Sequence, residues 1–184
     1  MRSLWITASR AAAAQAAGEF AAARAAEDEA RGYLALAHDF LMPGEARLVA
    51  VGGLSGTGKS VLAKAIAPGL GAAPGAVVLR SDVIRKVLLG VDPLTRLGPD
   101  AYGAQLTRLV YETMRAQAEA ALAGGHSVVA DAVHAGPEQR AALAAIARRM
   151  AVSFHGLWLE APAAARFARI RDRAGDESDA TVEV

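Results

Sequence analysis

From residue 47 onward the chain alternates between short unbroken apolar runs and longer stretches in which apolar side chains return every three or four positions. Arg47-Leu48-Val49-Ala50-Val51-Gly52 is the first run, with the composition of a strand buried on both faces. Residues 61–67 read as a helix that Pro68 and Gly69 end. Residues 76–80 form a second strand and 82–89 a short helix, followed by a loop at 92–98 that carries Pro93 and Gly98. Between 102 and 122 the positions Tyr102, Leu106, Leu109, Val110, Met114 and Ala118 keep helical spacing, and Gly124-Gly125 closes the segment. A third strand at 127–130, a helix at 137–150 opening on Pro137, a fourth strand at 152–159 and a helix at 162–173 complete the pattern. The order β-α-β-α-α-β-α-β-α predicts a three-layer α/β/α fold, a mostly parallel sheet covered by helices on both faces.

Residues 1–42 follow a different rhythm. Positions 11–37 are rich in Ala, Glu and Arg, broken only by Gly18 and Gly32, and read as one or two helices. Their larger apolar residues, Phe20, Tyr33, Leu34, Leu36, Phe40 and Leu41, gather mostly toward the end, and Pro43-Gly44 starts a linker over 43–46. The first 30 residues carry so little apolar area that they are expected to lean on another surface or fray.

Composition narrows the classes. Of 184 residues 46 are Ala, so much of the 53% hydrophobic content is small side chain that favours helix over core. Net charge is +1, which argues against a dedicated duplex-DNA binder. The absence of cysteine excludes disulfides, thiolate metal sites and cysteine nucleophiles. No apolar run reaches membrane-spanning length, and Arg10 interrupts the apolar start too early for a signal-peptide core, so the expected location is cytoplasmic.

The chemistry concentrates after the first strand. Gly53-Leu54-Ser55-Gly56-Thr57-Gly58-Lys59-Ser60 fits G-x-x-x-x-G-K-[ST] and lies between a strand and a helix, as a phosphate-binding loop requires. Glycines let the backbone curl so that its N–H groups face phosphate oxygens, and the helix start adds partial positive charge. Lys59 then reaches the β- and γ-phosphates, and the Ser60 hydroxyl is the Mg²⁺ ligand. These features define the fold more closely as a P-loop nucleotide-binding one.

Three further groups lie on elements that end at the same edge, where open parallel sheets bind ligands. Asp82 follows the second strand, with Arg85 one turn later. Two readings of Asp82 stand together: a helix N-cap, and a base that takes the proton of an attacking hydroxyl while Arg85 holds the acceptor. Asp131 ends the third strand, as either a turn residue or the carboxylate that helps to hold Mg²⁺ through water. After the fourth strand Arg166, Arg169 and Arg173 share a helical face. They read as a lid over the phosphates or as a solvated face, with Phe167 packing inward. His134 reads as a polar loop residue, without metal-ligand spacing around it.

Residues 53–60, Ser81-Asp82-x-x-Arg85, Val128-Val129-Ala130-Asp131 and Leu157-Trp158-Leu159-Glu160-Ala161-Pro162 with Arg169 and Arg173 resemble the small P-loop kinases. That group includes gluconate kinases, chloramphenicol phosphotransferases, polynucleotide 5′-hydroxyl kinases and zeta-type toxins. The nearest resemblance is to the kinase-like C-terminal half of bifunctional aminoglycoside phosphotransferase/ATP-binding proteins, over about residues 40–180. It implies an extension at 1–42, a linker at 43–46 and a kinase-like domain at 47–184 with a lid around 162–180.

The resemblance further implies ATP and Mg²⁺ as cofactors, bound by Gly53, Leu54, Ser55, Gly56, Thr57, Gly58, Lys59 and Ser60, with Asp131 beside the metal. Lys59, Asp82, Arg85, Arg169 and Arg173 are its catalytic set. The acceptor is a hydroxyl of a small polar metabolite, of sugar-acid or aminocyclitol type. The alternatives are a nucleic-acid 5′-hydroxyl or nucleotide-sugar kinase, and an ATP-binding module without catalysis. Relatives of this kind continue past the lid with a helix and a fifth strand, whereas this sequence stops at Val184. Residues 1–42 resemble the last helices of a preceding phosphotransferase-type domain, so the implied partner is such a domain or a second copy.

Overall fold

The computed structural model describes residues 2–41 and 44–171. The chain divides into two compact units, Met1–Pro43 and Gly44–Val184.

In the first unit, helices α1 (Arg2–Ala16) and α2 (Phe20–Leu41) pack against each other. Gly18 sets the break, with a φ of +75° that only glycine adopts at low cost. The Glu19 and Gly18 N–H groups donate to the Ala14 and Gln15 carbonyls, so the left-handed glycine satisfies the last carbonyls of α1. Gly32 does not interrupt α2. Thr7, Ala11 and Ala23 are buried, whereas Trp5 and Phe20 remain 78% and 72% exposed. Small side chains make the contact and the large apolar ones do not.

The second unit contains a four-stranded parallel sheet in the order β2-β3-β1-β4. Its strands are β1 (Arg47–Gly53), β2 (Val77–Arg80), β3 (Val128–Asp131) and β4 (Ser153–Leu159). The helices are α3 (Lys59–Ile66), α4 (Ser81–Leu88), α5 (Ala104–Ala123), α6 (Pro137–Arg149) and α7 (Ala163–Arg171). Short 3₁₀ turns follow α3 at Ala67–Gly69 and precede α5 at Pro99–Tyr102.

The central strands β1 and β3 are apolar on both faces because both faces are covered. Leu48 and Ala50 of β1, with Val128 and Ala130 of β3, meet Val110, Met114, Leu143 and Ile146 from α5 and α6. Val49, Val51 and Val129 face the other way, onto Ala63 and Ala67 at α3 and its end. Leu48, Val51, Val128 and Val129 are fully shielded, and each such side chain contributes about 1.5–3 kcal/mol. This is the expected three-layer α/β/α arrangement. β4 lies at the edge, paired with β1, and keeps Leu157 and Trp158 exposed.

Element ends differ from the sequence expectation in informative places. The helix expected at 61–67 starts two residues earlier, so Lys59 and Ser60 belong to its first turn. The helix expected from Tyr102 starts at Ala104, with Tyr102 in the preceding 3₁₀ turn, and Leu109 on its apolar stripe is 45% exposed. Because every strand runs the same way, the carboxyl ends of β1, β2 and β3 deliver residues 53–60, 81–85 and 131–134 to one edge.

Candidate active site

The loop between β1 and α3 is curled as the motif predicts. Gly53, Gly56 and Gly58 have φ values of +137°, +80° and +99°. Space demands glycine at two of them independently. A Cβ on Gly53 would lie 2.5 Å from the Leu159 carbonyl oxygen, and one on Gly56 would lie 2.6 Å from the Arg166 carbonyl oxygen. The loop is therefore clasped from outside by the end of β4 and by α7. Thr57, buried, braces it from inside: its N–H and Oγ1 both donate to the Leu54 carbonyl, at 3.3 and 2.7 Å. Lys59 folds back so that Nζ donates to the same carbonyl at 3.1 Å. The first backbone bond of α3 runs from Leu62 N–H to Gly58 C=O. The N–H groups of its opening turn thus precede any intrahelical partner, which is what an anion at a helix start requires.

A methyl group at position 56 tests this clasp. Gly56→Ala forces a left-handed φ, costing about 1–2 kcal/mol, and adds the overlap with Arg166. The expected result is a lower urea midpoint for the full chain with an unchanged slope.

Arg169 reaches the loop from α7, donating from one guanidinium nitrogen to Gly56 C=O at 3.2 Å. The residue is exposed, and this bond to main-chain oxygen holds its guanidinium against the loop. Arg166 is half-buried and lies 5.7 Å from the Phe167 ring centroid. Phe167, expected to pack inward, is instead 36% exposed, because Ile170 supplies the buried apolar contact of α7. Arg173 lies outside the described residues.

Asp131 ends β3 buried, and its Oδ2 accepts from Arg80 Nε at 3.4 Å. Arg80 ends β2, in register with Asp131 on the adjacent strand, so two opposite charges meet at the last, buried position of two neighbouring strands. The sequence reading missed Arg80; its signal was a charge closing an apolar run beside a strand that closes on Asp. Removing one member of a buried pair leaves the other unsatisfied. Arg80→Lys keeps the charge but lacks the Nε branch, and is expected to destabilise the chain by about 1–3 kcal/mol in urea unfolding.

These groups suit a hard cation. Ser60 offers a hydroxyl in the first turn of α3, and Asp131 keeps its second carboxylate oxygen beyond the Arg80 contact. Among the described residues no three His, Asp or Glu side chains form a metal cluster.

Asp82 and Arg85 are placed differently from one part of the sequence reading. Arg80, not Asp82, occupies the N-cap position of α4. Asp82 is the second helical residue, half-buried in the first turn, where the helix dipole favours its negative charge. The reason is that β2 passes into α4 without a loop. Arg85 is 5% exposed. One guanidinium nitrogen donates to Ala101 C=O at 2.8 Å and to Thr107 Oγ1 at 3.3 Å, and the group stacks 4.5 Å from the Tyr102 ring centroid. Arg85 thus ties α4 to the 3₁₀ turn and to α5, while its buried Nε has no hydrogen-bond partner among the described residues. Its neighbour Lys86 is fully buried and donates to Pro93 C=O at 2.9 Å, pinning the loop after α4.

His134, read from sequence as a loop residue, is 1% exposed and adopts a φ of +50°. Its N–H donates to the Tyr111 hydroxyl oxygen at 3.2 Å, and Arg140 donates to its carbonyl at 2.7 Å. Its Nε2 lies 3.2 Å from Ala130 C=O, which selects the tautomer protonated there and leaves Nδ1 a buried lone pair without a partner. Burial pushes the imidazole below its ordinary pKa, and burial also raises the Tyr111 phenol. A buried polar atom left unpaired costs about 1–3 kcal/mol.

A parallel α/β core, a curled glycine loop before α3 and acidic residues at the ends of neighbouring elements define a P-loop kinase-like protein. The chain belongs to the AAA domain family AAA_33, which matches residues 48–184. It is 34% identical over 168 residues to Rv2004c, an uncharacterized protein of Mycobacterium tuberculosis, covering 87% of this chain and 32% of that protein. The chain therefore spans about a third of the length of the curated relatives it matches. Among solved structures it is similar to the Mycobacterium tuberculosis APS kinase CysC in complex with AMPPNP and APS, with a TM-score of 0.54, 22% identity and 71% of each chain covered. It is also similar to a provisionally assigned kinase from Chloroflexus aurantiacus, with a TM-score of 0.57, 17% identity, and 72% of this chain and 68% of that one covered. These likenesses establish the fold. Among the described residues no helix is long and apolar enough to cross a membrane.

Proposed function

We propose that the protein is an ATP-dependent phosphotransferase that moves the γ-phosphoryl group to a hydroxyl of a small polar metabolite. The observation that carries this reading is the loop Gly53–Ser60, whose curl is enforced by close packing against Leu159 and Arg166. Its backbone donors and Lys59 bind the triphosphate, and Thr57 keeps the curl rigid. Asp82 accepts the proton of the acceptor hydroxyl while the hydroxyl oxygen bonds to the γ-phosphorus. The bond from phosphorus to the β–γ bridging oxygen breaks, and ADP leaves with that oxygen. Arg85 orders the acceptor side, and Arg169, with Arg173, steadies charge around the loop. Ser60 and Asp131 would hold Mg²⁺, which would supply charge neutralisation at the phosphate oxygens. The remaining catalytic effect is positioning.

The resemblance to kinase-like halves of aminoglycoside phosphotransferase/ATP-binding proteins favours a sugar acid or aminocyclitol as acceptor. Titration calorimetry with Mg²⁺ and AMPPNP, followed by a labelled-ATP screen of acceptors, tests the reading. Binding heat together with a labelled product supports it. Folded protein that gives no heat overturns it.

A further inference from the structure

Resting on the phosphotransferase reading, we propose that Arg169 is a positioning residue that locks the peptide groups between Gly56 and Gly58, so that the loop presents N–H rather than C=O to the phosphates. Its spacing with Arg166 and Arg173 suggests a lid arginine that touches phosphate directly. Its guanidinium lies on main-chain oxygen instead. One nitrogen donates to Gly56 C=O at 3.2 Å and, more weakly, to Thr57 C=O at 3.5 Å. The helix that carries it is already against the loop, since the Arg166 carbonyl leaves no room for a Cβ on Gly56.

In a planar trans peptide the C=O and the following N–H point in opposite directions. Among the described residues the cis bond is at Ala73–Pro74, so the loop peptides are trans. The peptide joining Gly56 to Thr57 is held at both ends: its C=O by Arg169, and its N–H by Leu54 C=O at 3.3 Å. In the next peptide Arg169 holds the Thr57 C=O, which directs the Gly58 N–H away from α7. An anion needs donors at this loop and is repelled by carbonyl lone pairs. The carbonyls of Leu54, Gly56 and Thr57 are all taken, the first by Thr57 and Lys59 and the other two by Arg169. A lock is needed because glycine flanks the pair of peptides. Gly56 and Gly58 lie at φ of +80° and +99°, and a residue without Cβ leaves such torsions at low cost. A Cβ on Gly58 would meet nothing within 4 Å, so no neighbour on that side restrains it. Without Arg169 the peptide between Thr57 and Gly58 is free to turn over, which sets an oxygen where a donor stood.

Arg169→Ala in the full chain should raise the Kd for Mg²⁺-AMPPNP and for Mg²⁺-ADP alike, by about tenfold, the worth of one charge-assisted hydrogen bond. Arg169→Lys keeps a charged donor and should recover part of that loss. The urea midpoint of both variants should stay near that of the parent chain, because the residue is exposed. Single-turnover transfer at saturating ATP should fall by less than about threefold, since bound phosphate itself holds the loop in its receiving form. An arginine that touches the transferring phosphoryl group gives the opposite split, with ADP affinity kept and the saturated rate lowered by about 10²-fold or more. That split overturns the proposal, and so does unchanged affinity for both nucleotides in Arg169→Ala. A loss of affinity that comes with a large fall in urea midpoint in both variants also overturns it. Parent chain that binds AMPPNP but labels no acceptor counts against the phosphotransferase reading and leaves the comparison of ADP with AMPPNP to decide the role of Arg169. Absence of AMPPNP binding to the parent chain overturns both.

Discussion

Replacing Lys59 by alanine is expected to lower phosphoryl transfer by about 10²–10³-fold or more, the scale for removing one preorganised group from developing negative charge. The size follows from where the ammonium sits. Lys59 is the first residue of α3, and its Nζ lies over the loop on Leu54 C=O. In the proposed reaction the triphosphate brings concentrated negative charge to that place, and the ammonium moves to meet it. The cost to folding should be small, because the residue is only half-buried and alanine favours helix. The check is single-turnover transfer from labelled ATP beside a urea melt. Loss of transfer with the urea midpoint nearly unchanged is expected. Retained transfer would remove Lys59 from the mechanism, and a large fall in midpoint would make the residue structural.

Asp82→Asn is the second large effect, and its signature is a split. The amide keeps the shape of the carboxylate but cannot take a proton, so turnover should fall by about 10²–10⁴-fold, the usual reach of a positioned acid or base. AMPPNP affinity should hold, because Asp82 projects from α4, after β2, while the loop that grips phosphate follows β1. Some stability is lost as well, since a negative charge in the first turn of α4 is worth about 0.3–1 kcal/mol at a helix start. Turnover that survives in the asparagine variant would make Asp82 a helix-start residue and nothing more.

How much of this was legible before folding depends on the range over which each feature is specified. The loop at 53–60 was readable residue by residue, because a curled backbone needs glycine wherever φ turns positive, and glycine is visible in sequence. The strands were readable because β1 and β3 are covered on both faces, which removes alternation and leaves plain apolar runs. Element starts were less readable. The turn of helix holding Lys59 and Ser60 is indistinguishable by composition from the loop before it, and Asp82 looked like a cap only because a connection was expected between β2 and α4. Phe167 was assigned inward on hydrophobicity alone, but inward and outward faces of a short helix depend on which neighbour covers it, and Ile170 fills that place.

The ion pair of Arg80 with Asp131, the tether from Arg85 to Ala101 and Thr107, and the pairing of Tyr111 with His134 join residues 51, 16, 22 and 23 positions apart. Local sequence by itself determined a parallel α/β chain with a phosphate-gripping turn after its first strand, since backbone torsion and apolar periodicity are properties of neighbouring residues. Tertiary structure alone decided which distant side chains meet at the carboxyl edge of the sheet, because that depends on strand order and helix packing. Opposite charges meet there only when β2 lies beside β3, and a mid-helix phenol reaches a loop histidine only when α5 is laid along the sheet.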